Sequence, residues 1–284
     1  LIKKFYTLTK PGIIFGNLIT TAGGFFLGSR GNVNYVTLLS ALLGISLVVA
    51  CGCVFNNIID RDIDRLMERT KNRALVQGLI SVRAAFIYGL ILGLSGFLIL
   101  YLGTNLLAVA VAFIGLLVYV GIYSLWLKRY SIYGTLIGSI SGAVPPVVGY
   151  LAASGHFDIG ALILFFILSI WQIPHSYAIA IYRFNDYANA KIPVLPVVKG
   201  IFYAKIQILV YVIAFVIATL MLTLLKYTGY MYFITALVLG IFWIRLSIVG
   251  FYAKDDKKWA RKNFLFSVIC ITILSIMMSI DVVR

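Results

Sequence analysis

VFNNIIDRDIDRLMERTKNR, residues Val54 to Arg73, closes a long apolar run and opens a charged one. Four acids (Asp60, Asp62, Asp64, Glu68) and five bases (Arg61, Arg65, Arg69, Lys71, Arg73) follow directly on the run that starts near Val36. Asn56, Asp60 and Asp64 recur every four residues. On a helix that step advances about 40°, so the three side chains share one face and Asp62 points elsewhere, as a salt-bridge partner. A row of oxygen donors beside a cluster of cations suits Mg²⁺ and a phosphate-rich substrate.

The rest of the chain says what surrounds this row. Of 284 residues, 62% are hydrophobic, and the mean hydropathy is +1.03. Runs of about 17–25 apolar residues cross a bilayer as helices. Nine are expected, near Ile13–Gly28, Val36–Phe55, Ala84–Leu102, Leu106–Leu127, Tyr133–Ala153, Gly160–Tyr182, Ile206–Leu225, Met231–Phe251 and Phe264–Val282. The fold class is therefore all-α and polytopic, one domain over residues 1–284. The first run is short and holds Gly16, Gly23 and Gly24, which allows tilt or a break. Lys10-Pro11-Gly12 precedes it and no small-residue cleavage site follows, so it reads as a span and not as a leader.

A formal charge of +15 would fit nucleic acid, but its distribution does not. Twenty of the 24 basic residues fall in alternate loops, among them Lys3, Lys4, Lys10, the Arg61–Arg83 cluster, Lys128 and Arg129, while the intervening loops hold Arg30, Lys226 and Arg284. The positive-inside rule puts the N-terminus in the cytoplasm and the C-terminus outside. Cys51, Cys53 and Cys270 lie within spans, without the His or Cys spacing of a metal site, and read as apolar thiols.

A second acid stands after the sixth span, in YRFNDYANAKIPVLPVVKG from Tyr182 to Gly200. Asp186 in this loop echoes Asp60, which suggests two helix groups each ending in an acid-bearing loop. None of the nine acids lies at the middle of a span. An ion-coupled carrier keeps acids near the midplane; this chain gathers them at one face, as a substrate with a charged head and a greasy tail requires. Carboxylate-held Mg²⁺ and nearby cations would neutralise a departing diphosphate, and apolar and aromatic walls would shield an allylic cation from water. His175 sits beside Pro174 in WQIPHSYAIAIYRF, about three turns before Asp186, either as a hydrogen-bonded core residue or lining the same cavity; a kink is expected at Pro174. His156, in the outer loop SGHFD, reads as solvated. Pro145-Pro146 should break span five, with Gly142 and Gly149 allowing close helix approach. Lys128 and Arg129 are either topology anchors or anion contacts.

NNIIDRDID resembles the first aspartate-rich motif of the UbiA superfamily of intramembrane prenyltransferases, with Asn57 where many members carry Asp. The longer strings TKPGI (Thr9–Ile13), DRDIDRLMERTKNRALVQGLIS (Asp60–Ser81), YSLWLKR (Tyr123–Arg129), SGAVPP (Ser141–Pro146), WQIPHSYAIAIYRFNDY (Trp171–Tyr187) and IPVLP (Ile192–Pro196) resemble the heme-farnesylating branch of that superfamily, over nearly the whole chain. The resemblance implies nine transmembrane helices around a central cavity that opens near the cytoplasmic face. It implies farnesyl diphosphate as donor, heme B as acceptor and Mg²⁺ as cofactor. The farnesylated heme would pass to a downstream heme-processing enzyme or a terminal oxidase. Carried onto this chain, Asn56, Asp60 and Asp64 would hold metal and diphosphate, Asp186 a second metal site, and Lys10, Arg73 and Lys128 the diphosphate. His175 would meet heme or manage a proton. The second motif is reduced, since Ala190 stands where the wider superfamily often has a further acid. The remaining alternatives are a prenyltransferase acting on a quinone precursor such as 4-hydroxybenzoate, against which WQIPHSY and IPVLP argue, and a non-catalytic membrane carrier.

Overall fold

The computed structural model describes residues 2–283, so Arg284 lies outside it. Among the described residues nine helices are long and apolar enough to cross a membrane: α1 Pro11–Ser29, α2 Tyr35–Ile59, α3 Val82–Gly103, α4 Leu106–Tyr130, α5 Gly134–Ser154, α6 Ile159–Tyr182, α7 Ile201–Leu224, α8 Tyr230–Tyr252 and α9 Asp256–Ile280. Polar residues at the loop ends start several of them. The side chains of Asn34, Ser81, Asn105, Asp158 and Asp255 each accept a hydrogen bond from a first-turn amide, which satisfies donors that no carbonyl reaches.

The burial pattern is that of a protein in lipid. On α3 the exposed face carries Leu90, Leu94 and Leu98, while Gly89, Gly93 and Gly96 are buried. Leucines gain nothing by leaving lipid for a protein interior, so the small residues make the helix contact. Gly96 meets the carbonyl of Gly44 on α2, and Gly93 meets the Cys51 sulfur. The same logic joins α1 to α5. A Cβ on Gly24 would lie 2.1 Å from the Pro146 oxygen, and one on Gly149 would lie 2.1 Å from the Thr21 oxygen.

Helices adjacent in sequence mostly pack as neighbours, and α9 returns against α1 to close the bundle. The second half of α5 is the most enclosed segment, with Val144 through Ala152 all buried. As expected, α5 is interrupted, between Gly142 and Val144, with Pro145 in the first turn of its second half. α1 is continuous for 19 residues despite its glycines. α6 runs unbroken through Pro174. α4 continues past Leu127 to carry Lys128 and Arg129, and its Val118–Leu127 stretch is π-helical, with each turn widened by about one residue.

Candidate active site

α2 ends at Ile59, yet its hydrogen-bond ladder does not stop there. The Asp60 amide donates to the Asn56 carbonyl at 2.9 Å, and the Asp64 amide donates to the Asp60 carbonyl at 2.8 Å. A six-residue helix, Arg61–Leu66, continues the rise, so the four-residue register survives the junction. Asn56, Asp60 and Asp64 all line one cavity of about 830 Å³ and are all buried. Asp62 faces away: its side chain is 66% exposed and takes two 2.8 Å hydrogen bonds from Arg129. Those bonds hold its carboxyl well below the usual carboxylate range, at about 2.

Each oxygen-bearing side chain of the row has its own cation. Lys10 Nζ donates to Asn56 Oδ1 at 2.6 Å. Lys128 pairs with Asp60, and Arg73 Nη1 lies 2.5 Å from Asp64 Oδ2. Lys10 adopts left-handed backbone (φ 53°) just before Pro11 starts α1, a conformation costly for a residue with a side chain. Burial lowers the Lys10 ammonium to about 8, so it keeps its proton at neutral pH. The π-helical stretch of α4 presents Tyr119 and Tyr123 to the same cavity, and Lys128 follows directly after it. Asn56 Nδ2 also donates to Ser124 Oγ at 3.1 Å, so the row is held from α4 as well.

The two acid-bearing loops meet. Ile63 and Met67 pack against Ala190 and Ile192, with Tyr187 beside them, and a second six-residue helix, Phe184–Asn189, follows α6 as Arg61–Leu66 follows α2. Asp186 is nevertheless not on the cavity wall. Its Oδ1 accepts from the Glu68 amide at 3.1 Å, while the neighbouring Tyr187 lines the cavity. Burial raises the Tyr187 hydroxyl.

Among the described residues no three His, Cys, Asp or Glu side chains converge as a metal cluster. The donor set at the mouth is two carboxylates and an amide. Mg²⁺ keeps several waters and needs few protein ligands, so this set fits one ion. Asp60 Oδ1 is buried without a hydrogen-bond partner, a costly arrangement for a carboxylate and a free position for a cation.

Deeper in, the cavity becomes apolar and aromatic, with Ile45, Val48, Leu168 and Trp171 on its walls. His175 lines it too. Its ring stacks on Trp171 with centroids 4.6 Å apart, and its Nδ1 lies 2.7 Å from Ser267 Oγ on α9. Both readings of this residue therefore meet: it is hydrogen-bonded, and it faces the cavity. His156, by contrast, is exposed. All three cysteines are buried and unbridged, and Cys53 contributes to the wall.

Sequence reasoning missed Tyr119, Tyr187, Arg69 and Gln172, which all line the cavity. Gln172 Oε1 is buried without a partner, over Gly142, where an added Cβ would lie 1.7 Å from it. Tyr119 and Tyr123 stack at 5.9 Å, and their rings sit over Gly52 and Gly138. The paired glycines on α2 and α5 were a readable signal for large side chains opposite them.

Comparison with known proteins places the chain in a family. Residues 17–269 match the model of the UbiA prenyltransferase family. The chain is 58% identical over 281 residues to a protoheme IX farnesyltransferase of Yersinia pseudotuberculosis serotype O:1b (strain IP 31758), covering 99% of this chain and 95% of that one. It is also 58% identical to a protoheme IX farnesyltransferase of Photorhabdus laumondii subsp. laumondii, covering 99% and 96%. The fold is similar to a solved digeranylgeranylglyceryl phosphate synthase, with TM-score 0.80 at 21% identity over 99% of this chain and 98% of that one. A UbiA homolog from Archaeoglobus fulgidus, solved with GPP and Mg²⁺, gives TM-score 0.68 at 18% identity, covering 97% and 99%.

Proposed function

The chain belongs to the UbiA prenyltransferase family and is a prenyltransferase, and on that premise we propose that it moves the farnesyl group of farnesyl diphosphate onto a vinyl group of heme B. The observation that carries the reading is the polar mouth, an oxygen row matched one-to-one with cations, set above a cavity with apolar and aromatic walls. A diphosphate head fits the first part and a farnesyl chain the second. The choice of heme as acceptor is supported by the relatives at 58% identity.

In this mechanism Lys10, Arg73 and Lys128 hold the diphosphate and stabilise the negative charge that grows as the allylic C–O bond breaks. Bound Mg²⁺ would neutralise the same leaving group from the side of Asn56, Asp60 and Asp64. Asp186 would add a second metal site only by turning toward the cavity, since it does not line its wall. The bond's electron pair leaves with the diphosphate, and Tyr119 and Tyr123 help keep water from the farnesyl cation. The terminal vinyl carbon of heme attacks that cation. Water then adds to the new cation beside the heme ring and loses a proton, which gives a hydroxyethylfarnesyl group. Purified protein in lipid, given heme B, farnesyl diphosphate and Mg²⁺, should yield a heavier heme by mass spectrometry. Prenylation of 4-hydroxybenzoate with heme untouched would replace this reading with the quinone-precursor one.

His175→Ala separates the two roles of that residue. If His175 meets heme or manages a proton, turnover per folded molecule falls at least tenfold while the folded yield changes little. If it is structural only, the loss tracks stability, about 1–3 kcal/mol for an orphaned partner such as Ser267. Absorbance titration with heme distinguishes the functional outcomes: weakened heme binding marks a contact, and intact binding with slow turnover marks proton handling.

We place the mouth on the cytoplasmic face of a bacterial inner membrane, with the N-terminus inside and the C-terminus in the periplasm, on the strength of the loop charges. Single cysteines introduced at Glu68 and Asn189 should react with a membrane-impermeant reagent only from the cytoplasmic side. Reaction from outside would invert the topology.

A further inference from the structure

We propose that Gln172 and His175 deliver the water that captures the cation left after farnesyl transfer. Gln172 holds the water, His175 Nε2 takes its proton, and Ser267 is the positioning residue behind His175. The inference rests on the reaction proposed above and assigns its last step to residues away from the acid row.

Gln172 and His175 stand three residues apart on α6, so they share a face with Cβ atoms about 5–6 Å apart, and both line the cavity. Gln172 Oε1 is buried without a hydrogen-bond partner. An orphaned amide oxygen among apolar walls is costly, and a buried polar group of this kind is ordinarily met by water or a ligand. The facing wall supplies more acceptors. Pro145 and Pro146 carry no N–H, so the carbonyls of Ser141 and Gly142 lose the helical donor four residues on. Ser141 and Gly142 line the cavity, and the Gln172 amide lies against Gly142. Amide and carbonyls together offer the roughly two to four polar partners that an enclosed water needs. Their depth fits the reaction. Gln172 lies ten residues before Tyr182 at the end of α6, about 15 Å along the axis. With the diphosphate at the mouth, the farnesyl carbon that it leaves and the heme carbon two bonds beyond fall between that end and Gln172.

Ser267 sets the direction of the proton. Its Oγ lies 2.6 Å from the Phe264 carbonyl, three residues back on α9, and two oxygens come that close when a proton lies between them. The hydroxyl has one proton, so it cannot also donate to His175. His175 Nδ1, 2.7 Å from the same Oγ, is therefore the N–H donor, and Nε2 keeps its lone pair on a ring that lines the cavity. The Ser267 carbonyl also accepts the Trp171 indole N–H at 2.9 Å, which fixes the ring stacked on His175. The face of that indole suits an imidazolium. In the step itself a water lone pair forms the C–O bond to the cation beside the heme ring. An O–H bond of the resulting oxonium then breaks, its electron pair stays on oxygen, and the proton moves to His175 Nε2. From there it returns to solvent through the polar mouth. Where the water is not held, the cation instead loses a proton from the neighbouring methylene, and that C–H pair becomes a C=C bond. The product is then an alkene, lighter by one water.

Product mass tests this. Purified full-length protein in lipid nanodiscs is given heme B, farnesyl diphosphate and Mg²⁺, and the alcohol and alkene forms of the farnesylated heme are resolved by mass spectrometry. In Gln172→Leu the alkene-to-alcohol ratio should rise about tenfold or more, the cost of a misplaced reactant. Gly142→Ala reaches the same end without altering Gln172, and serves if the first variant folds poorly. Its Cβ would lie 1.7 Å from Oε1 and would push the amide, the far end of a flexible side chain, out of place. Ser267→Ala should slow turnover about tenfold, and Ser267→Thr, which keeps the hydroxyl, should recover most of it. An unaltered ratio in both the Gln172 and Gly142 variants, or loss of alcohol and alkene alike, overturns the water site. Weaker heme binding at an unaltered ratio also overturns it and makes Gln172 a heme contact. A Ser267→Thr protein no faster than Ser267→Ala removes the proton route through His175. The reaction reading fails separately: in that case the unaltered protein puts no farnesyl group on heme at all.

Discussion

Asp60→Asn is expected to lower farnesyl transfer about a thousandfold, roughly 4 kcal/mol of transition-state stabilisation, while the protein still inserts and folds. The change keeps the side chain's shape and removes its charge. It takes a metal donor away and leaves the Lys128 ammonium with an amide in place of a carboxylate. Asp64→Asn should behave alike, because Asp64 holds Arg73 in the same cavity. Asp62→Asn is the control. Its carboxylate is exposed, bound to Arg129 and directed away from the cavity, so its loss should cost less than tenfold. The measurement is kcat/KM for heme product, with folded protein quantified for each variant. Equal losses at Asp62 and Asp64 would mean that the four-residue register does not define the reactive face.

The second large effect concerns folding. Gly149→Val should destabilise the protein by about 3 kcal/mol or more, because overpacking a backbone contact leaves no side chain free to move aside. The new Cβ would lie 2.1 Å from the Thr21 oxygen, on a helix whose own Gly24 faces the Pro146 carbonyl at the same distance. α1 and α5 would have to separate along their length. Gly16→Ala, also on α1 but with open space around it, should melt close to the unaltered protein. Thermal unfolding followed by size-exclusion fluorescence compares the two, and a Gly149→Val protein that melts with the unaltered one would refute the contact.

The spans and the acid register could be read from the sequence because both are periodic and local. Twenty apolar residues commit to a helix whatever lies next to them, and a helix fixes where Asn56, Asp60 and Asp64 point. Asp62 turned out to face away for the same reason. The direction of Asp186 was not legible: it depends on a Glu68 amide 118 residues earlier in the chain. The π-helical stretch of α4 was invisible too, since an apolar run reads alike at any helical pitch. Pro174 sits inside α6 without ending it, because the expected kink is a bend and not a break. Gln172 required knowledge of Gly142 across the helix interface, which no pattern within α6 contains.

The packing of α9 against α1 has a consequence for biogenesis. Chains leave the ribosome from the N-terminus, and early segments can settle before late ones exist. Here the wall of the cavity stays unfinished until α9 arrives, because Phe264, Val268 and Ile271 belong to it and Ser267 holds His175. Until then Asp60, Asp64 and their cations sit in a half-built bundle beside lipid. The Asp60–Lys128 and Asp64–Arg73 pairs keep both carboxylates compensated in the nascent chain before any substrate is in reach. The closing step joins the two most distant parts of the sequence, so it carries the largest loop-closure cost of any helix contact in the bundle. Mutations on the α1–α9 seam should therefore show first as slow assembly and chaperone or protease dependence in the membrane, ahead of any defect in the chemistry.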